Sequence, residues 1–134
     1  MKYTTLLALL LFAVSYLPCA AQNGTTDTLR RTVLHHPGEY GIQYFRIPAI
    51  ITAKDGTLVA ATDCRKQSNG DLPEDIDILL NYSTDSGQSW RLTHILALGT
   101  GKEKGFGDCA LAHTRDEEGL IAVFAGGAGL WHNV

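Results

Sequence analysis

The chain has little that would hold a metal, enter a membrane or attract nucleic acid. Its five histidines, His35, His36, His94, His113 and His132, fall at no spacing that joins them to cysteines or carboxylates as ligands, so no metal or other cofactor is expected. Eleven Lys and Arg stand against fourteen Asp and Glu, a net charge of -3, which excludes the basic footprint of a nucleic-acid binder. The one sustained apolar run, residues 6–14, is too short for a comfortable bilayer span and is followed by polar residues 22–26, so no transmembrane segment is expected. Helical periodicity is missing beyond that run, which argues against bundles and α/β folds.

Residues 1–21 read as an export signal, with Lys2, the apolar run, and then Cys19-Ala20-Ala21 offering the small residues that a signal peptidase reads. A secreted or periplasmic protein is expected after cleavage, with a polar linker at 22–32. Lipid attachment at Cys19 is the weaker alternative, because Tyr16-Leu17-Pro18 suits it poorly. An oxidising compartment would permit Cys64 and Cys109 to pair, yet two isolated buried thiols are the preferred reading.

What is present is β-hairpin signal. A strand is expected at 29–35, then an exposed loop carrying His35, His36 and Pro37-Gly38. Turn signals follow at Asp55-Gly56, Asp85-Ser86-Gly87 and Asp116-Glu117-Glu118-Gly119, each flanked by apolar, strand-like segments. Turns recurring about every thirty residues imply a repeated all-β antiparallel architecture, a sandwich or a propeller of four-stranded blades. Residues 45–98 would make one blade and the remainder about half of the next. A propeller needs four to eight blades, so the chain is expected to be the N-terminal piece of a longer protein.

The first hairpin carries an electrostatic oddity. With Asp55-Gly56 as a two-residue loop, Ile51 faces Ala60 and Arg46 faces Arg65, so like charges become cross-strand neighbours. Either an anion sits between the two guanidiniums or Asp63 and Asp71 neutralise them; a three-residue turn would shift the register by one.

Tyr44-Phe45-Arg46-Ile47-Pro48, followed by Ser83-Thr84-Asp85-Ser86-Gly87-Gln88-Ser89-Trp90, resembles the opening of a bacterial exo-sialidase. The first string is similar to that family's F/Y-R-I-P motif and the second to its Asp box. Asp85, Gly87 and Trp90 have a structural purpose in such a box: turn amides for the Asp, positive φ for the Gly, packing for the Trp.

The resemblance implies a six-bladed β-propeller, with residues 33–134 supplying about one and a half blades of its catalytic domain. It implies removal of terminal sialic acids from glycoproteins, glycolipids or oligosaccharides with retention. Arg46 matches the first of three arginines that hold the sugar carboxylate, and Arg65 matches a further arginine near the acid/base loop. Asp71 matches the acid/base, with Glu74, Asp75 and Asp77 as competitors. Asp108, in Gly107-Asp108-Cys109, matches a contact to the N-acetyl group, and Trp131 could line the same pocket. The Tyr nucleophile of such enzymes, its Glu partner and the remaining arginines would lie downstream, so Tyr40, Tyr44 and Tyr82 are not assigned that role and the isolated chain is expected to be inactive. The alternatives are a non-catalytic Asp-box propeller that binds glycans or proteins, and a lyase or intramolecular trans-sialidase on the same fold.

Overall fold

The computed structural model describes residues 29–129, apart from the side chains of Leu92 and Thr93. The expected signal peptide, most of the linker and Trp131 lie outside the described residues. The chain divides into two units, Met1–Arg30 and Arg31–Val134, and the strands belong to the second. Among the described residues no helix is long and apolar enough to cross a membrane.

Strands β1 (Tyr44–Thr52), β2 (Leu58–Arg65), β3 (Ile76–Ser83) and β4 (Arg91–Ala97) form an antiparallel sheet in sequential order. Strands β5 (Gly105–His113) and β6 (Leu120–Gly127) form a second, two-stranded sheet. All three expected hairpins are therefore present, and residues 45–98 form one four-stranded meander. No strand forms at 29–35.

The hairpin turns explain themselves from local chemistry. Between β3 and β4, the Asp85 carboxylate accepts the Ser89 N–H at 2.9 Å, Gly87 adopts φ 82°, and the Trp90 indole lies beneath Gly87. Between β5 and β6 the pattern recurs: Thr114 donates its hydroxyl to Asp116 at 2.5 Å as Ser83 does to Asp85 at 2.7 Å. A hydroxyl two residues before an Asp thus organises both turns through short side-chain contacts.

The first turn differs from expectation by one residue. Ala53 N–H donates to Thr57 O at 2.7 Å, Gly56 takes φ 87°, and Asp55 accepts the Thr57 N–H at 2.9 Å, so Lys54-Asp55-Gly56 form a three-residue turn. Ile51 consequently faces Val59 rather than Ala60. Further along, Arg46 faces Asp63 and Arg65 faces Tyr44, so the two arginines are not cross-strand partners.

One face of the larger sheet packs on the smaller. Ala61, Ile78 and Ala97 meet Cys109, and Leu80, Leu111 and the edge-to-face pair Phe106 and Phe124, 5.7 Å apart, extend this core. Fully burying a side chain such as Ile78 stabilises the fold by about 1.5–3 kcal/mol. Cys64 follows Asp63 on β2 and so points to the opposite face, where it lies beside Tyr40, Ile42 and Leu79. That opposition keeps Cys64 and Cys109 apart, and both are buried free thiols. Burial pushes the Cys64 thiol up to about 12.

His35 is half-buried and does not share the exposed loop position of His36. The His35 ring stacks on Phe45 at 4.4 Å and its Nε2 lies 3.0 Å from Asn81 Oδ1, fastening the segment before β1 to β3.

Candidate active site

Two strands that open the two sheets carry the same irregularity. In β1 the register slips between Arg46 and Ala49, and Ile47 adopts φ 48°. A β-branched residue in that region is strained, and Pro48 beside it lacks the N–H that a regular ladder would use. The extra residue reverses the alternation, so Arg46 joins the face that carries Ala61, Asp63 and Arg65. In β5 the register slips between Gly107 and Ala110, and Asp108 adopts φ 56°. Both bulges re-aim a charged side chain at the same end of the packed sheets.

Arg65 ends β2 and is 1% exposed. Its Nη1 donates to Asn69 O at 2.9 Å, and its Nη2 lies 3.3 Å from Asp71 Oδ2 and 3.6 Å from Asp63 Oδ2. The guanidinium therefore holds the loop after β2 by its backbone and its carboxylate together. Nε and Nη2 make no aligned hydrogen bond within the described residues, so the carboxylates balance the charge without saturating the donors.

Asp71 keeps 54% of its side chain exposed beside this buried cation, with Oδ1 accepting the Leu72 N–H at 2.8 Å. Two of its competitors, Asp75 and Asp77, are engaged elsewhere. Asp75 and Asp77 lie 3.1 and 2.8 Å from Lys66 Nζ, and Asp77 also accepts the Gly99 N–H at 2.7 Å. Burial works against the Lys66 charge, but the hydrogen bonds it donates to Asp77 and Asp75 outweigh it and raise its pKa. Glu74 donates its backbone N–H to Asp71 O at 3.0 Å.

Asp63 is the residue that sequence reasoning undervalued, treating it only as a counter-charge. It is wholly buried, lies opposite Arg46, and accepts the Asp108 N–H at 3.1 and 3.4 Å through its two oxygens. Burial pushes its carboxyl up to about 6, against the opposing pull of the Asp108 amide and Arg65. The available signal was a carboxylate inside the apolar strand β2, which is costly to bury without partners.

The carboxylates of Asp63, Asp71 and Asp108 offer oxygens within 4.8 Å of one another. That spacing could accommodate a cation, but the Arg65 guanidinium already stands against two of the three, and Asp63 spends its oxygens on a backbone amide. The donor set fits charge balance by arginine better than a metal. Of the expected site residues, Arg65, Asp71 and Asp108 are thus brought to one cluster. Arg46 lies exposed at its β1 border, facing Asp63 across the ladder and, among the described residues, outside any ion pair.

No family model matches the chain. A sialidase of Bacteroides fragilis is 40% identical over 57 residues, 42% of this chain and 10% of that protein. A sialidase of Paraclostridium sordellii is 33% identical over 97 residues, 66% of this chain and 24% of that protein. The chain is similar to sialidases. Its fold matches that of a solved Hadza microbial sialidase, Hz136, with a TM-score of 0.59 at 33% identity over 70% of this chain. The chain spans 20% of that sialidase and between 10% and 24% of the two sequence relatives. The sialidase likeness and the all-β antiparallel fold therefore agree, over a part of a sialidase's length.

Proposed function

We propose that this chain belongs to an exo-α-sialidase, a retaining glycoside hydrolase acting on sialylated glycoproteins, glycolipids or oligosaccharides. The observation that carries this reading is Arg65, buried between Asp63 and a half-exposed Asp71, with Asp108 in the same cluster. The likeness to sialidases of two bacteria supports it.

In this reading Asp71 protonates the leaving glycosidic oxygen and later takes the proton of the attacking water. Arg65 holds the Asp71 loop and keeps positive charge beneath it. Arg46, turned by the Ile47 bulge, receives the sugar carboxylate, for which a planar guanidinium is suited. Asp108 borders the site where the N-acetyl group would lie. The nucleophile is a Tyr outside this chain, a choice that avoids opposing two carboxylates.

The larger frame is a six-bladed propeller in which β1–β4 form one blade and β5–β6 begin the next. Export through the leader at 1–21 would deliver the enzyme to secreted glycans or to the periplasm.

The test is turnover of a fluorogenic aryl α-sialoside by the full-length gene product, with proton NMR of the first-formed anomer. Release of the α-anomer is expected. Binding of sialosides without any release would favour the glycan-binding propeller instead.

A further inference from the structure

Asp63 has no place among the groups that touch substrate in the proposed reaction, yet it is the most enclosed carboxylate near them. Three elements meet on it. From its own strand β2 it faces Arg65; from β5 it receives the Asp108 amide; from the loop after β2, Asp71 shares the same guanidinium nitrogen. Arg46 lies across the ladder from it on β1. The fit on the β5 side is close: a Cβ added at Gly107 would lie 3.0 Å from Asp63 Oδ2. The amide it holds belongs to a residue at φ 56°, a conformation that a non-glycine residue keeps only when its surroundings enforce it.

We infer that Asp63 is a positioning residue that fastens the strained Asp108 bulge of β5 to the Arg65–Asp71 pair of β2, setting the distance between the acid/base and the Asp108 side of the pocket. One carboxylate does both tasks because its oxygens reach the amide while its charge faces the guanidinium. Loss of the oxygen and loss of the charge therefore have separable consequences. Without the acceptor the bulge relaxes and Asp108 moves, which weakens sugar binding. Without the charge, Arg65 loses one of its two carboxylates and holds Asp71 less firmly, which slows proton transfer. The kinetic consequence rests on the sialidase reading above; the amide contact does not.

Two substitutions separate the tasks in the full-length gene product. Asp63→Asn keeps an oxygen for the Asp108 N–H and removes the charge, whereas Asp63→Ala removes both. Hydrogen–deuterium exchange of the peptide spanning β5 is expected to quicken about tenfold in the Ala variant and to stay within about threefold of wild type in the Asn variant. On an aryl α-sialoside, kcat is expected to fall about tenfold in both, while KM rises about tenfold only in Asp63→Ala, so that Asn rescues binding but not turnover. Should Asp63→Ala not fold, Gly107→Ala approaches the same contact from β5 and is expected to raise KM and quicken exchange with kcat little changed. Unchanged exchange in the Ala or Gly107 variant, or an equal KM rise in the Asn and Ala variants, overturns the inference. A wild-type protein that cleaves no sialoside defeats the sialidase reading alone, and exchange then decides the role of Asp63.

Discussion

Lys66 Nζ lies 2.8 Å from Asp77 Oδ1, and the same carboxylate oxygen accepts the N–H of Gly99 at 2.7 Å. This contact binds the end of β2 to β3 and to the segment after β4, and it commits Asp77 to architecture. Lys66→Met should therefore lower unfolding free energy by about 3 kcal/mol, because a partly buried carboxylate loses its partner. Urea denaturation measures that loss, and kcat/KM of the folded enzyme should stay within about threefold. A large kinetic loss with unchanged stability would return Asp77 or Asp75 to candidacy as proton donor.

Asp71→Ala should show mainly a kinetic signature. Half of the side chain is solvent-exposed, but it partners the buried Arg65 guanidinium, which keeps Asp63 and the Asn69 carbonyl, so stability should fall by about 1–2 kcal/mol. Activity on sialosides with poor leaving groups should fall by about 10²–10⁴, and much less on aryl sialosides, whose leaving oxygen needs little protonation. Equal losses on the two substrate types would be the contrary result.

Arg46→Ala tests the carboxylate contact. Arg46 is exposed and outside any ion pair among the described residues, so thermal unfolding should move little. KM should rise roughly 10- to 100-fold, the worth of a lost charge-assisted contact, with kcat also reduced. Wild-type kinetics in this variant would remove Arg46 from the site.

Asp63 imposes a pH dependence on stability. Its carboxyl is pushed up to about 6 in the fold from an ordinary 3.8, so between these values the folded state holds more protons than the unfolded one. Its contribution is complete below about pH 3.8, falls as pH rises and is lost above about 6, a change on the order of 3 kcal/mol. Asp63→Asn removes that dependence. The melting temperature of the variant relative to wild type should therefore improve from pH 4.5 to pH 7.5, as differential scanning calorimetry would measure.

The parts of this protein governed by near neighbours in the chain were legible in it. Gly56, Gly87 and the hydroxyl–Asp pairs Ser83–Asp85 and Thr114–Asp116 act within a few residues, so turn chemistry announced the three hairpins. The register of the first hairpin was legible only as two alternatives, because a third turn residue costs the sequence nothing visible. The local conformation of Lys54-Asp55-Gly56 chose between them, and the bulge at Ile47 then moved Arg46 opposite Asp63.

Residue types and spacing by themselves determined the all-β hairpin plan, the buried free thiols as preferred reading and the Arg46–Arg65 pair as an oddity, while Asp71 and Asp108 became candidates only through the resemblance to sialidases. The tertiary structure decided which charges meet. Arg65 sits with Asp63 and Asp71, Lys66 takes Asp75 and Asp77, and Asp63 reaches across to the Asp108 amide of a different sheet. These partners lie up to 45 residues apart in the chain. Long-range pairing of this kind follows from how two twisted sheets pack and where their bulges fall, and local sequence carries no direct record of either.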